Sequence, residues 1–103
     1  MARIRMGRVS DLPPGRSLEK RVLARRIIVV NDAGIMRALE GDCKHMKASL
    51  ASGPIEDGVI TCRMHGWKYR LATGECLTNP AFRLKTYPVE TEEGKIYVVV
   101  DHG

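Results

Sequence analysis

No stretch of this chain sustains an apolar period near 3.6. Instead, short runs rich in β-branched residues recur between Gly, Pro, Asn and Asp punctuation, which leaves little room for a helical architecture. The runs at 4–9, 19–23, 26–30, 35–39, 58–61, 67–71, 85–90 and 95–100 are expected to be strands. Turn signals separate them: Leu12-Pro13-Pro14-Gly15, Asn31-Asp32-Ala33-Gly34, Ser52-Gly53-Pro54, Thr73-Gly74 and Glu92-Glu93-Gly94. The expected fold is all-β, in one domain spanning residues 1–103, with most connections tight hairpins. Two segments, 41–53 and 62–69, hold polar and metal-capable residues where a hairpin would need only a turn, as functional loops on a rigid scaffold do.

Composition narrows the setting. Apolar residues at 44% and charged residues at 28% are ordinary globular values and exclude a disordered or collagen-like chain. Aromatics are only 5%, so the core is aliphatic and a chain this small gains from a staple such as a bound metal. The longest fully apolar runs, 27–30 and 96–100, fall far short of the roughly 20 residues of a transmembrane helix. Residues 1–9 alternate charged and apolar side chains and lack the apolar stretch of a secretory signal, so a cytoplasmic protein without a membrane partner is expected. Three cysteines, an odd number in such a chain, argue for metal binding or buried thiols over a disulfide framework. The net charge of +5 is concentrated in residues 1–26, which carry eight basic and two acidic side chains. That balance is compatible with nucleic acid, an anionic surface or an acidic protein partner, and charge alone does not choose.

The chemistry is carried by two pairs. Cys43-Lys44-His45 is followed after sixteen residues by Cys62-Arg63-Met64-His65. Thiolate and imidazole are the ligands of borderline-soft metals, and each pair is short enough to grip one centre from one loop. Chance neighbours, two exposed histidines beside two buried thiols, would rarely fall into two such pairs. Tetrahedral zinc also takes this ligand set, but a zinc finger usually places Cys with Cys and His with His and ends in a recognition helix. Here each end holds one of each. A dinuclear cluster that takes Cys on one iron and His on the other uses that mixed order.

The pattern Cys-x-His, spacer, Cys-x-x-His resembles the Rieske [2Fe–2S] family. The likeness extends to Cys62-Arg63-Met64-His65-Gly66-Trp67-Lys68-Tyr69, which is similar to the second box of Rieske oxygenases and their low-potential ferredoxins. It also takes in Leu12-Pro13-Pro14-Gly15, Leu71-Ala72-Thr73-Gly74 and Thr86-Tyr87-Pro88-Val89, so it covers nearly the whole chain. The resemblance implies an antiparallel β-sandwich or barrel with a small cluster-binding subdomain made by two loops. It implies one [2Fe–2S] cluster per chain, with Cys43 and Cys62 on the inner iron and His45 and His65 on the outer iron. It further implies a proline-bearing third loop, for which Pro80 is the match, and a tyrosine donor to the cluster at Tyr69, with Trp67 beside it. One departure stands out: relatives often have a glycine two or three residues after the first His, where this chain has Lys47 and Ala48, and a positive φ would be costly at Ala48.

Two ferric irons, two sulfides and two thiolates sum to about zero charge with neutral histidines, against about −2 for an all-Cys cluster, which raises the potential into the Rieske range of about −150 to +300 mV. High-potential respiratory members add a Ser donor two residues after the second His and a disulfide between the loops. Trp67, Ala48 and Met64 occupy those positions here, so the low end of the range is expected. Cys76 has no vacant ligand position and is expected to be a small buried hydrophobe, and His102 a solvated terminal imidazole.

A cluster of this kind moves single electrons and makes no bonds. Oxygenase chemistry would need a further mononuclear iron, for which only His102 remains, and no Gly-rich nucleotide fingerprint is present. The expected role is therefore a ferredoxin that is not itself an enzyme and carries electrons from a reductase to a terminal oxygenase or similar enzyme. A small subunit of a larger reductase, such as nitrite reductase, is the alternative within the family. A basic zinc module binding nucleic acid is the alternative outside it, though no stripe of stacking aromatics supports one. The expected docking face is ringed by Lys44, Lys47, Arg63, Lys68 and Arg70, opposite an acidic patch on the redox partner.

Overall fold

The computed structural model describes residues 2–22, 24–44, 48–64 and 66–100. Among them, three antiparallel sheets account for the regular structure. The first joins β1 (Ala2–Arg8), β10 (Lys95–Val100) and β9 (Val89–Glu92) in the order β1-β10-β9. The second joins β2 (Ser17–Val22), β3 (Arg25–Asp32), β4 (Ile35–Glu40) and β8 (Thr86–Tyr87) in chain order. The third is small, β5 (Ile55–Glu56), β6 (Val59–Thr61) and β7 (Lys68–Arg70).

β3 explains the apolar run at Ile27–Val30. Ile28 and Val30 pack into the cluster shared with the small sheet, while Ile27 and Val29 turn to the clusters formed with the first sheet. The strand is covered on both faces and so needs no polar alternation. Each fully buried aliphatic side chain there contributes about 1.5–3 kcal/mol of transfer free energy.

Three hairpins close in two residues with both φ values positive: Ala33 and Gly34 (51° and 97°), Asp57 and Gly58 (52° and 76°), and Glu93 and Gly94 (51° and 75°). Such turns match the twist of the strands they join. The Leu12-Pro13-Pro14-Gly15 turn is held by buried Asn31, whose side-chain amide donates to the Leu12 carbonyl at 2.8 Å while its backbone carbonyl accepts from Gly15 N–H at 2.9 Å.

The expected strands are found with four adjustments. The run at 85–90 is two strands: β8 pairs with β4, β9 pairs with β10, and Pro88 stands between them. Proline has no N–H to give a ladder, and this one accepts from Val99 N–H through its carbonyl as the chain changes sheets. The first strand ends at Arg8, and Val9 opens a short 3-10 turn, Val9–Asp11. β5 was not anticipated, because a two-residue strand after Pro54 with Ile55 as its only apolar residue leaves no periodicity to read. Leu23, expected to close the second strand, lies outside the described residues.

Candidate functional site

Two loops leave the sheets at the same end of the core. The first rises from β4 through Gly41, whose N–H donates to the Arg26 carbonyl at 2.7 Å. Its sides are joined by an antiparallel bridge between Asp42 and Ser49, by Cys43 N–H to the Ala48 carbonyl at 2.8 Å, and by Leu50 N–H to the Gly41 carbonyl at 2.8 Å. These bonds form a stem that joins residues 41–43 to residues 48–50. Ala48 is not among the described residues with positive φ, so the position where relatives often have glycine asks for no left-handed backbone here.

The second loop follows β6. Cys62 N–H donates to the Trp67 carbonyl at 2.7 Å and Gly66 N–H to the Cys62 carbonyl at 2.9 Å, which closes 62–67 into a compact turn. The loops meet at Gly53, where a Cβ would collide with the Thr61 carbonyl oxygen, so only glycine lets the descending arm of the first loop lie against β6.

Cys43 and Cys62 are 0% and 1% exposed and belong to one core cluster with Leu50, Ile60, Tyr69 and Leu71. Neither is in a disulfide, and nor is Cys76. The Tyr69 hydroxyl lies 3.3 Å from Cys43 Sγ and accepts from Lys44 N–H at 2.9 Å. With its lone pair so engaged, the phenol has its proton left for the sulfur, and a thiolate at Cys43 could only accept it. Burial, with the Cys43 sulfur beside it, pushes the Tyr69 phenol far above its ordinary range, so it keeps that proton.

A third segment flanks β7. Tyr69 bridges Cys76, Leu77 N–H donates to the Lys68 carbonyl, and Lys68 N–H donates to Thr78 Oγ1 at 3.0 Å. Cys76 is buried, as expected, and its Sγ accepts from Asn79 N–H at 3.3 Å. Pro80 is exposed in the turn closed by Phe82 N–H to the Asn79 carbonyl. Trp67 packs its inner face on the core cluster and its ring lies 5.6 Å from that of Phe82. Phe82 escaped the sequence reading, since a lone aromatic in a loop carries no periodic signal. Met64, Leu77 and Phe82 are each exposed apolar side chains.

The expected cationic ring is uneven. Lys68 and Arg70 are exposed, but Lys44 is paired with Glu40 at 3.3 Å and Arg63 Nε donates to the Ser52 carbonyl at 2.5 Å. His45, Lys47, His65 and His102 lie outside the described residues.

Residues 2–88 match the Rieske [2Fe-2S] domain family. The chain belongs to that family. It is 36% identical over 101 residues to the 3-phenylpropionate/cinnamic acid dioxygenase ferredoxin subunit of Shigella flexneri, covering 95% of this chain and 93% of that one. The ferredoxin component of the alkene monooxygenase system of Xanthobacter autotrophicus is 29% identical, covering 87% of this chain and 75% of its own. Among solved structures, a complex of reduced oxygenase and oxidized ferredoxin in carbazole 1,9a-dioxygenase superposes with a TM-score of 0.85 at 32% identity, over 93% of this chain and 91% of that one.

This Rieske chain is an electron carrier of multicomponent oxygenase systems and not their catalyst, and its cofactor is a Rieske-type [2Fe–2S] cluster. The zinc-module alternative is thereby set aside. The donor chemistry fits the cluster: Cys43 and Cys62 are buried in one core cluster, each in a loop tied by its own backbone bonds, with the Tyr69 phenol against the Cys43 sulfur. When bound, such a cluster takes up and releases one electron. Cys43 and Cys62 would hold it as thiolates shielded from water by the core, and the Tyr69 hydroxyl would supply a hydrogen bond that stabilises added negative charge. Among the described residues, no helix is long and apolar enough to cross a membrane.

Proposed function

We propose that Cys43 and Cys62 hold the inner iron as thiolates and His45 and His65 hold the outer iron through ring nitrogens. In this reading the chain is a cytoplasmic ferredoxin that takes single electrons from a reductase and passes them to a terminal oxygenase. The observation that carries the proposal is the Tyr69 hydroxyl on the Cys43 sulfur in a buried cluster that also holds Cys62, while the sulfur of Cys76, the third thiol of that cluster, is engaged by Asn79 N–H. Missing Ser and disulfide at the positions of Trp67, Ala48 and Met64 support a potential at the low end of the Rieske range, raised in part by the Tyr69 bond. Freshly purified protein is expected to be brown, with two irons and no zinc per chain, and to give a rhombic EPR signal after dithionite. One zinc in a colourless protein would overturn the proposal.

Docking is proposed at the tip formed by the two loops, with Lys47, Arg63, Lys68 and Arg70 facing an acidic patch on the partner, Trp67 and Pro80 beside the cluster, and Lys44 contributing less because Glu40 neutralises it. Exposed charge pairs are screened within about 8 Å at physiological salt, so the bimolecular rate of electron transfer to an oxygenase should fall steeply between low and high ionic strength. Stopped-flow mixing of the prereduced protein with the oxygenase reads this directly, and a flat profile would remove the charge-steered face.

A further inference from the structure

The stem of the first loop is gripped from outside by two side chains, Arg26 and Glu19. Arg26 on β3 reaches Glu19 on β2 with Nε at 2.9 Å from Oε1, and reaches Asp42 with Nη1 at 2.6 Å from Oδ1. The same Glu19 oxygen accepts from Ser49 Oγ at 2.6 Å. Asp42 and Ser49 are the bridged pair at the foot of the loop. Its rising arm is therefore tied to the sheet through Arg26 and its descending arm through Glu19. The aliphatic part of Arg26 also lies on Gly41, where a Cβ would sit 2.8 Å from Arg26 Cγ and 2.9 Å from Ile28 Cγ2.

Among the described residues, no ion pair is seen on the second loop. Its closure rests on Cys62 N–H to Trp67 and Gly66 N–H to Cys62, with Arg63 reaching back to Ser52. Arg26 is 19% exposed, so its bonds are partly shielded from water, and a planar guanidinium is suited to bridging two carboxylates in fixed geometry.

We propose that Arg26 is a positioning residue for the cluster: with Glu19 it clamps the first loop shut, and opening of this clamp is the step that governs loss of the cluster. The inference rests on Cys43 and His45 being ligands. Cutting the clamp frees both arms at once, while the second loop keeps its own backbone bonds. The weak point created is local and one-sided.

The test compares wild-type holoprotein with Arg26→Met, Arg26→Lys and Ser49→Ala. Hydrogen exchange by mass spectrometry is read on peptides spanning 41–50 and 60–67, together with the rate at which a ferrous chelator takes up iron after reduction. Arg26→Met is expected to speed exchange in 41–50 and iron release by about tenfold, the scale of losing hydrogen bonds to a charged group, while 60–67 exchanges as in the wild type. Arg26→Lys should fall between, keeping the charge without the two-armed geometry. If Arg26→Met fails to fold, Ser49→Ala removes the descending tie to Glu19, and with it the acceptor of Ala51 N–H, leaves Arg26 in place and carries the same contrast at smaller size. Wild-type exchange and release in both variants, or acceleration spread evenly over the chain, would overturn the proposal. A Cys43→Ser protein with an unchanged cluster would instead overturn the ligand reading, and the exchange contrast would still report on the clamp.

Discussion

Replacing Cys62 with alanine is expected to yield a protein that binds no stoichiometric iron and gives no rhombic EPR signal on reduction, whereas Cys76→Ala keeps both. The two thiols are equally buried, at 1% and 2% exposure, so burial alone does not separate them. Their surroundings do. Cys62 opens a loop whose backbone folds back on it, within the core cluster that also holds Cys43 and Cys76. Cys76 sits in the bridge to Tyr69, with its sulfur accepting from Asn79 N–H. Removing one thiolate from a four-ligand set leaves an iron with an open position, and neither Cys76 nor a backbone group replaces it in place. As a packing change, either Cys→Ala deletes a single buried atom, well below the several kcal/mol of large-to-small core substitutions, so far-UV circular dichroism of Cys76→Ala should match the parent. Retention of the cluster by Cys62→Ala, or its loss in Cys76→Ala, would break the ligand assignment.

Why the sequence spoke clearly at some positions follows from what each one needs. Ligand chemistry is local: Cys43, His45, Cys62 and His65 are legible because few other side chains hold iron and because their spacing is short. Turn chemistry is local too, so Gly34 and Gly94 marked hairpins that the structure closes with positive φ. The division of the 85–90 run was harder, since both halves have strand composition and only the missing N–H of Pro88 separates them. The clamp was out of reach. Glu19, Arg26, Asp42 and Ser49 are ordinary surface types far apart in the chain, and nothing in their spacing foretells that β2 and β3 bring them to the foot of one loop. The uneven charge ring had the same origin: Lys44 was visible as a cation, while its pairing with Glu40 depends on how the chain leaves β4.

Tyr69→Phe is expected to keep the cluster and lower its reduction potential by about 40 mV, since one net hydrogen bond is worth about 1 kcal/mol and a one-electron couple moves about 59 mV per tenfold change in equilibrium constant. The sign follows from charge. Reduction adds an electron to the cluster, the bond from the Tyr69 O–H at 3.3 Å is then stronger than in the oxidised state, and deleting it penalises the reduced form more. The phenol is fully buried, and that burial, with the Cys43 sulfur beside it, raises its pKa, so the hydroxyl keeps its proton at neutral pH and the donor is present there. Phenylalanine fills the same space among Leu50, Ile60 and Leu71, so packing is conserved and iron content should be unchanged. The second effect is on Lys44 N–H, which loses its acceptor. If that N–H turned to the Cys43 sulfur it would replace the lost bond, and the potential would stay at the parent value. Protein-film voltammetry of the two proteins separates these results, and an unchanged potential would remove Tyr69 from the groups that set it.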